Sequence, residues 1–117
     1  MTNQEIDPYA QSLIDRVTSL SREIDHLRNA YIVVNDRLNN LTQINEQNSK
    51  ELIEEAARVE DFARLAVEAT LLTEKSALIT NNSNLITAAQ KSSKAAKAVY
   101  ELAVELRFNK ISKLLQK

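Results

Sequence analysis

An all-α protein of long amphipathic helices is the fold class this sequence predicts, and three observations predict it. The 117-residue chain has no glycine and a single proline, Pro8. Its apolar residues recur at alternating spacings of three and four, without an error, from Ala10 to Leu41. A second run with the same period extends from Leu85 to Leu106. Hairpins and tight turns usually need a residue at positive φ, which glycine supplies, whereas long helices do not. A heptad repeat gives each helix a continuous apolar seam that must pack on another helix. The expected architecture is an antiparallel three-helix coiled-coil bundle or a helical hairpin, in one domain over residues 8–117 behind a short disordered lead at 1–7.

The first helix is expected over about 8–44. Asp7 reads as its N-cap and Pro8 as its first residue, where a missing N–H has no cost. Its seam is Leu13, Val17, Leu20, Ile24, Leu27, Tyr31, Val34, Leu38 and Leu41. β-branched residues at a positions with Leu at d resemble a two-stranded parallel coiled coil. Ile14, Ala30, Ile32 and Val33 widen the stripe, which suits a helix with more than one neighbour. Tyr31 reads as a core aromatic that could meet a small residue such as Ala95.

The seam then reaches Asn45 and Asn48, inside the asparagine-rich segment Asn39–Ser49. Asparagine tolerates the left-handed conformation that ends a helix better than any residue except glycine. A break is expected at about 45–48, with Asn48 and Glu51 as a capping pair and Ser49 as a second cap choice.

The second helix is expected over about 49–79. It opens with Glu51, Glu54 and Glu55, which complement the positive end of its dipole. Its polar stripe is Glu54, Arg58, Asp61, Glu68 and Lys75, and the remainder is broadly apolar. The segment Thr80–Asn84 reads as the second turn.

The third helix is expected over about 83–115, with a seam of Leu85, Ala88, Ala95, Val99, Leu102 and Leu106; Ser92 also falls on it, and Ala89 and Ala96 lie beside it. Small residues there permit close approach of the helix axes.

Net charge is −1, but it is unevenly spread. Residues 51–80 carry −4 and residues 81–117 carry +5. The second and third helices are therefore expected side by side, with the lysines of the third pairing the acids of the second. Near-neutrality argues against a general nucleic-acid binder. Five aromatic residues offer little base stacking.

Catalytic, metal and cofactor chemistry is not expected. With no cysteine there is no thiol chemistry, and with no glycine there is no phosphate-binding glycine loop. His26 is the only histidine. A zinc site needs three or four converging ligands, so His26 reads as a surface residue. A di-metal bundle would need repeated Glu-x-x-His pairs, and Glu23-Ile24-Asp25-His26 is unrepeated. The carboxylates Glu54, Glu55, Glu60, Asp61 and Glu68 read instead as a solvated face.

The N-terminal residues show no secretory leader and no apolar run long enough to span a bilayer, so a cytoplasmic location is expected, with export by a route that uses no leader as the alternative. The expected role is a non-enzymatic structural or interaction protein that assembles with itself into an oligomer or filament, or with a helical protein partner. Two alternatives follow from the same residues: a membrane-active helical protein, from the basic, alanine-rich third helix, and an adaptor for a partner helix.

Overall fold

A computed structural model describes residues 8–40 and 46–111, with side chains left undescribed at 46–49 and 110. Three helices, α1 (Pro8–Asn39), α2 (Glu46–Thr80) and α3 (Ser83–Glu105), pack against one another as an antiparallel bundle, and a π-helical turn (Leu106–Ile111) continues α3. No strand occurs among the described residues. The bundle is slender, 67 Å long and 16–17 Å across.

α1 begins at Pro8 as the sequence predicts, and Asp7 and the lead at 1–7 lie outside the described residues. The helix ends at Asn39, five residues before the expected boundary. Leu38 is its last buried residue, and it packs with Leu52 of α2 in one cluster. Asn39 and Asn40, both poor helix formers, release the helix once Leu38 is in place. The Asn40 N–H still donates to Asp36 O at 3.0 Å. α2 starts at Glu46, so Asn48 and Ser49 lie within its first turn and not ahead of it.

The second connection is short and fully specified. Asn81 takes φ 57°, the one left-handed residue of the described chain. Asn82 follows in an extended conformation and caps α3: its side-chain Oδ1 accepts from the Leu85 N–H at 3.1 Å. Thr80 Oγ1 accepts from the Asn82 N–H at 3.2 Å and donates to Ala77 O at 2.6 Å. Two asparagines thus do the work usually given to a glycine C-cap and a serine N-cap.

The interior divides its bulk unequally. The buried residues of α2 include Leu52, Ala56, Val59, Ala63, Ala66, Thr70, Thr73 and Ala77, a strict alternation of four and three. Those of α3 are Leu85, Ala89, Ser92, Ser93, Ala96, Val99 and Ala103. Most are small, and α1 supplies the longest run of large buried side chains, Leu13, Val17, Leu20, Ile24, Val34 and Leu38, with Leu52, Leu85, Val99 and Leu106 adding bulk from the rest of the chain. Three clusters result. One joins Leu13 and Val17 with Ala77 and Leu85. The next joins Ile24 with Ala63, Ala66, Ala96 and Val99. The last joins Val34 and Leu38 with Leu52, Ala56, Leu106 and Ile111.

Thr70, Thr73, Ser92 and Ser93 are buried as well. The threonines satisfy themselves on their own helix, Thr70 on Val67 O at 2.9 Å and Thr73 on Ala69 O at 2.8 Å. The serine hydroxyls find no partner among the described residues. An unsatisfied buried hydroxyl costs about 1–3 kcal/mol.

The C-terminal end departs from the regular helix expected to about 115. After Ala103 and Leu106, an α-helix would bring Lys110 onto the seam. A π-turn inserts one extra residue, and Ile111, 4% exposed, takes the buried place. Residues 112–117 lie outside the described residues.

Asn81→Ala should lower unfolding stability by about 1 kcal/mol, because alanine disfavours positive φ, whereas Asn81→Gly should not; chemical denaturation distinguishes them. Ile24→Ala, at the centre of the α1 contribution, should cost about 3 kcal/mol. Leu72→Ala, on the outer surface, should stay within about 0.5 kcal/mol when measured in dilute solution.

Candidate helix-docking surface

The predicted seams close largely on one another. On α1, Leu13, Val17, Leu20, Ile24, Val34 and Leu38 are buried, Leu27 and Tyr31 are half-buried, and Leu41 lies outside the described residues. On α3, Leu85, Val99 and Leu106 are buried and Ala95 is half-buried, but Ala88 and Leu102 are exposed. The α3 seam uses Ala89, Ala96 and Ala103 in place of Ala88, Ala95 and Leu102, a shift of one residue at every second position. The reason is steric: alanine at all three sites lets α3 settle on the small residues of α2, and Leu102 fits better outside. Tyr31 packs with Val34, Leu38 and Leu106, not with Ala95, which belongs to the neighbouring cluster.

The large apolar residues of α2 are a different matter. Phe62, Leu65, Leu72 and Ile79 are 56%, 54%, 63% and 76% exposed. With Ala69 and Ser76 they form a second run, 62, 65, 69, 72, 76 and 79, again spaced three and four. Each member precedes an inner-seam position by one residue, so the second stripe lies about 100° around the helix from the first. α2 therefore carries two heptad faces, a small-residue one turned inward and a large-residue one turned outward.

The outer stripe forms one wall of an apolar groove against α1. Leu20, Leu27, Ala30, Ala66 and Ala69 line it, with Phe62 and Leu65 standing over it and Glu23 and His26 along the α1 edge. The groove continues past Phe62 to Val33, Arg37, Glu55 and Arg58. His26 is exposed, and no group of three metal-binding side chains occurs among the described residues.

The charges are arranged differently from the expected pairing. The inter-helix ion pairs among the described residues use arginine. Arg37 of α1 bridges Glu55 (Nη1–Oε1 2.6 Å) and Glu51 (3.5 Å) of α2. Arg107, beyond α3, reaches the buried Glu60 of α2 at 2.9 Å, and its guanidinium lies 5.4 Å from the centre of the Phe108 ring. Among the described side chains no lysine of α3 pairs with an acid of α2: Lys91, Lys94 and Lys97 are exposed and belong to none of these bridges. Asp61 pairs within its own helix with Arg64 at 3.4 Å, and Glu54 and Glu68 face solvent.

The outer stripe was legible in principle, because its spacing stands in the sequence. A broadly apolar helix hides it, since Ile53, Phe62, Val67, Leu71 and Leu78 leave the apolar surface of α2 without a single direction.

No protein-family model, curated protein or solved structure matches this chain in comparison.

Burial, and secondarily the negative charge of Glu105, hold the Tyr31 phenol above its ordinary value of 10.0. In the unfolded chain it returns to that value. The folded state therefore keeps its proton to higher pH, and this contribution to stability is complete below pH 10 and lost as pH rises through the folded value. Melting temperature should fall with pH above 10 less steeply in Tyr31→Phe than in the parent, as circular dichroism across alkaline buffers would read.

Proposed function

We propose that this protein is a non-enzymatic helical assembly module whose role is to associate through its outer helix face, first of all with further copies of itself. One observation carries the reading: α2 keeps small residues for its own bundle and holds Phe62, Leu65, Leu72 and Ile79 outward at heptad spacing. An amphipathic helix needs one apolar face to hold a bundle together. A second face of larger residues has no use in the monomer and exposes apolar area to water at roughly 25 cal/mol per Å². Exposed apolar residues aligned along one helix and bordered by charge are the surface expected of a protein-protein contact.

Self-association is favoured over a different helical partner because the stripe is flanked by both signs of charge, Asp61 and Glu68 with Lys75, a pattern that complements itself. No helix among the described residues is long and apolar enough to cross a membrane.

Sedimentation equilibrium over a wide concentration range tests this reading. A species larger than the 13.2 kDa chain is expected, and Leu72→Glu should return it to monomer with an unchanged helical spectrum. A parent chain that stays monomeric at every concentration would overturn the proposal.

A further inference from the structure

Resting on the self-association reading, the geometry points to one pairing: α2 lies antiparallel on α2 of a second copy, about a two-fold axis between Thr70 and Leu71, and the charges of Glu68 and Lys75 select that register. The stripe itself limits the choices. In an antiparallel pair, layers form between a and d positions of opposite chains. With the axis between 70 and 71, residue 62 faces 79, 65 faces 76 and 69 faces 72, each twice. Every member of the stripe is then covered, over about 26 Å of helix. A shift of one heptad in either direction leaves four layers in place of six.

Charge makes the same selection. The solvent-side flank of the stripe is Asp61, Glu68 and Lys75, each exposed and each one residue ahead of a stripe position. In the full-overlap register, Glu68 of each copy lies about 3 Å along the axis from Lys75 of the other, and both side chains lean toward one another, giving two ion pairs. One heptad one way sets Glu68 against Glu68, and one heptad the other way sets Lys75 against Lys75. Like charges directly opposed disfavour both. A parallel pair would place the flank beside the inner-seam residues Ala66 and Thr73, which carry no charge.

α1 supplies an independent check. In the bundle, Leu38 clusters with Leu52 and Ala56, Ile24 with Ala63 and Ala66, and Leu13 with Ala77. With α1 and α2 antiparallel, the same two-fold passes α1 close to Ser19 and Leu20. Arg16 and Glu23 stand symmetrically about that point, in one column of α1, and Glu23 lines the groove. Each copy's Arg16 is thus level with Glu23 of the other. Arg16 and Glu23 are centred on this axis, and Glu68 and Lys75 lie one residue from it, so pairs of opposite charge on two helices favour the same register. The second copy would cover the groove over Leu20, Leu27 and Ala30 and complete a four-helix contact from α1 and α2 of both chains.

The chain has no cysteine, so introduced thiols report the pairing directly. Full-length Ala69→Cys and Leu72→Cys chains, mixed in equal amounts and oxidised, should give the mixed disulfide in several-fold excess over either symmetric one. Glu68→Lys should weaken association about tenfold, since two exposed attractive pairs become repulsive, and adding Lys75→Glu in the same chain should restore it. Symmetric disulfides in excess within a dimer that still forms would overturn this pairing and leave self-association standing. A double variant that fails to recover would overturn the role of the charges. A chain that remains monomeric in sedimentation would remove both the pairing and the reading beneath it.

Discussion

The interior of this bundle is narrow because α2 and α3 face one another with small side chains. Ala56, Ala63, Ala66 and Ala77 on one helix and Ala89, Ala96 and Ala103 on the other leave room for close approach and little else. Alanine buries little area, so these two helices alone would gain little from the hydrophobic effect. Much of the bulk comes from α1, whose leucines, valines and isoleucine fill the third corner along the bundle, with Leu52, Leu85 and Leu106 filling it near the ends. The division makes the three helices interdependent. At the centre, where α2 and α3 meet mainly through alanine, large residues such as Leu65, Leu72 and Leu102 stand outside.

A chain without glycine must still turn. At residues 80–83 it does so with neighbouring asparagines in different roles, Asn81 in the left-handed conformation and Asn82 as an N-cap, with Thr80 bridging the two helix ends. Close to the other end, a π-turn performs a different adjustment. It returns Ile111 to the core, beside the point where Arg107 meets Glu60. Both devices serve the same requirement, that each helix continue to present its seam to the other two along the bundle.

The two faces of α2 connect this architecture to the proposed association. Because the inner face is small, the helix can carry large residues on the adjoining face without destabilising its own bundle. The result is a folded unit that still displays an ordered apolar stripe with charge along one side. A surface of that kind is held rigid by a helix, so it can bind without an ordering cost, which favours affinity for a given area.

Periodicity in the sequence was enough to predict an all-helical chain, the approximate extents of its helices and most of the α1 seam, because a heptad in a glycine-free chain favours helix packed on helix. The asparagine clusters marked both connections, the second to the residue at which α3 begins. Tertiary structure alone decided which of two equally periodic faces of α2 turns inward, and why α3 uses Ala89, Ala96 and Ala103 in place of Ala88, Ala95 and Leu102. Those choices depend on side-chain volume at the contact between helices, and a spacing of three and four does not encode volume. It also decided which charges meet. Arg37 and Arg107 reach the acids of α2 while the α3 lysines point to solvent, since the rotation of a helix about its axis is set by packing and not by its net charge.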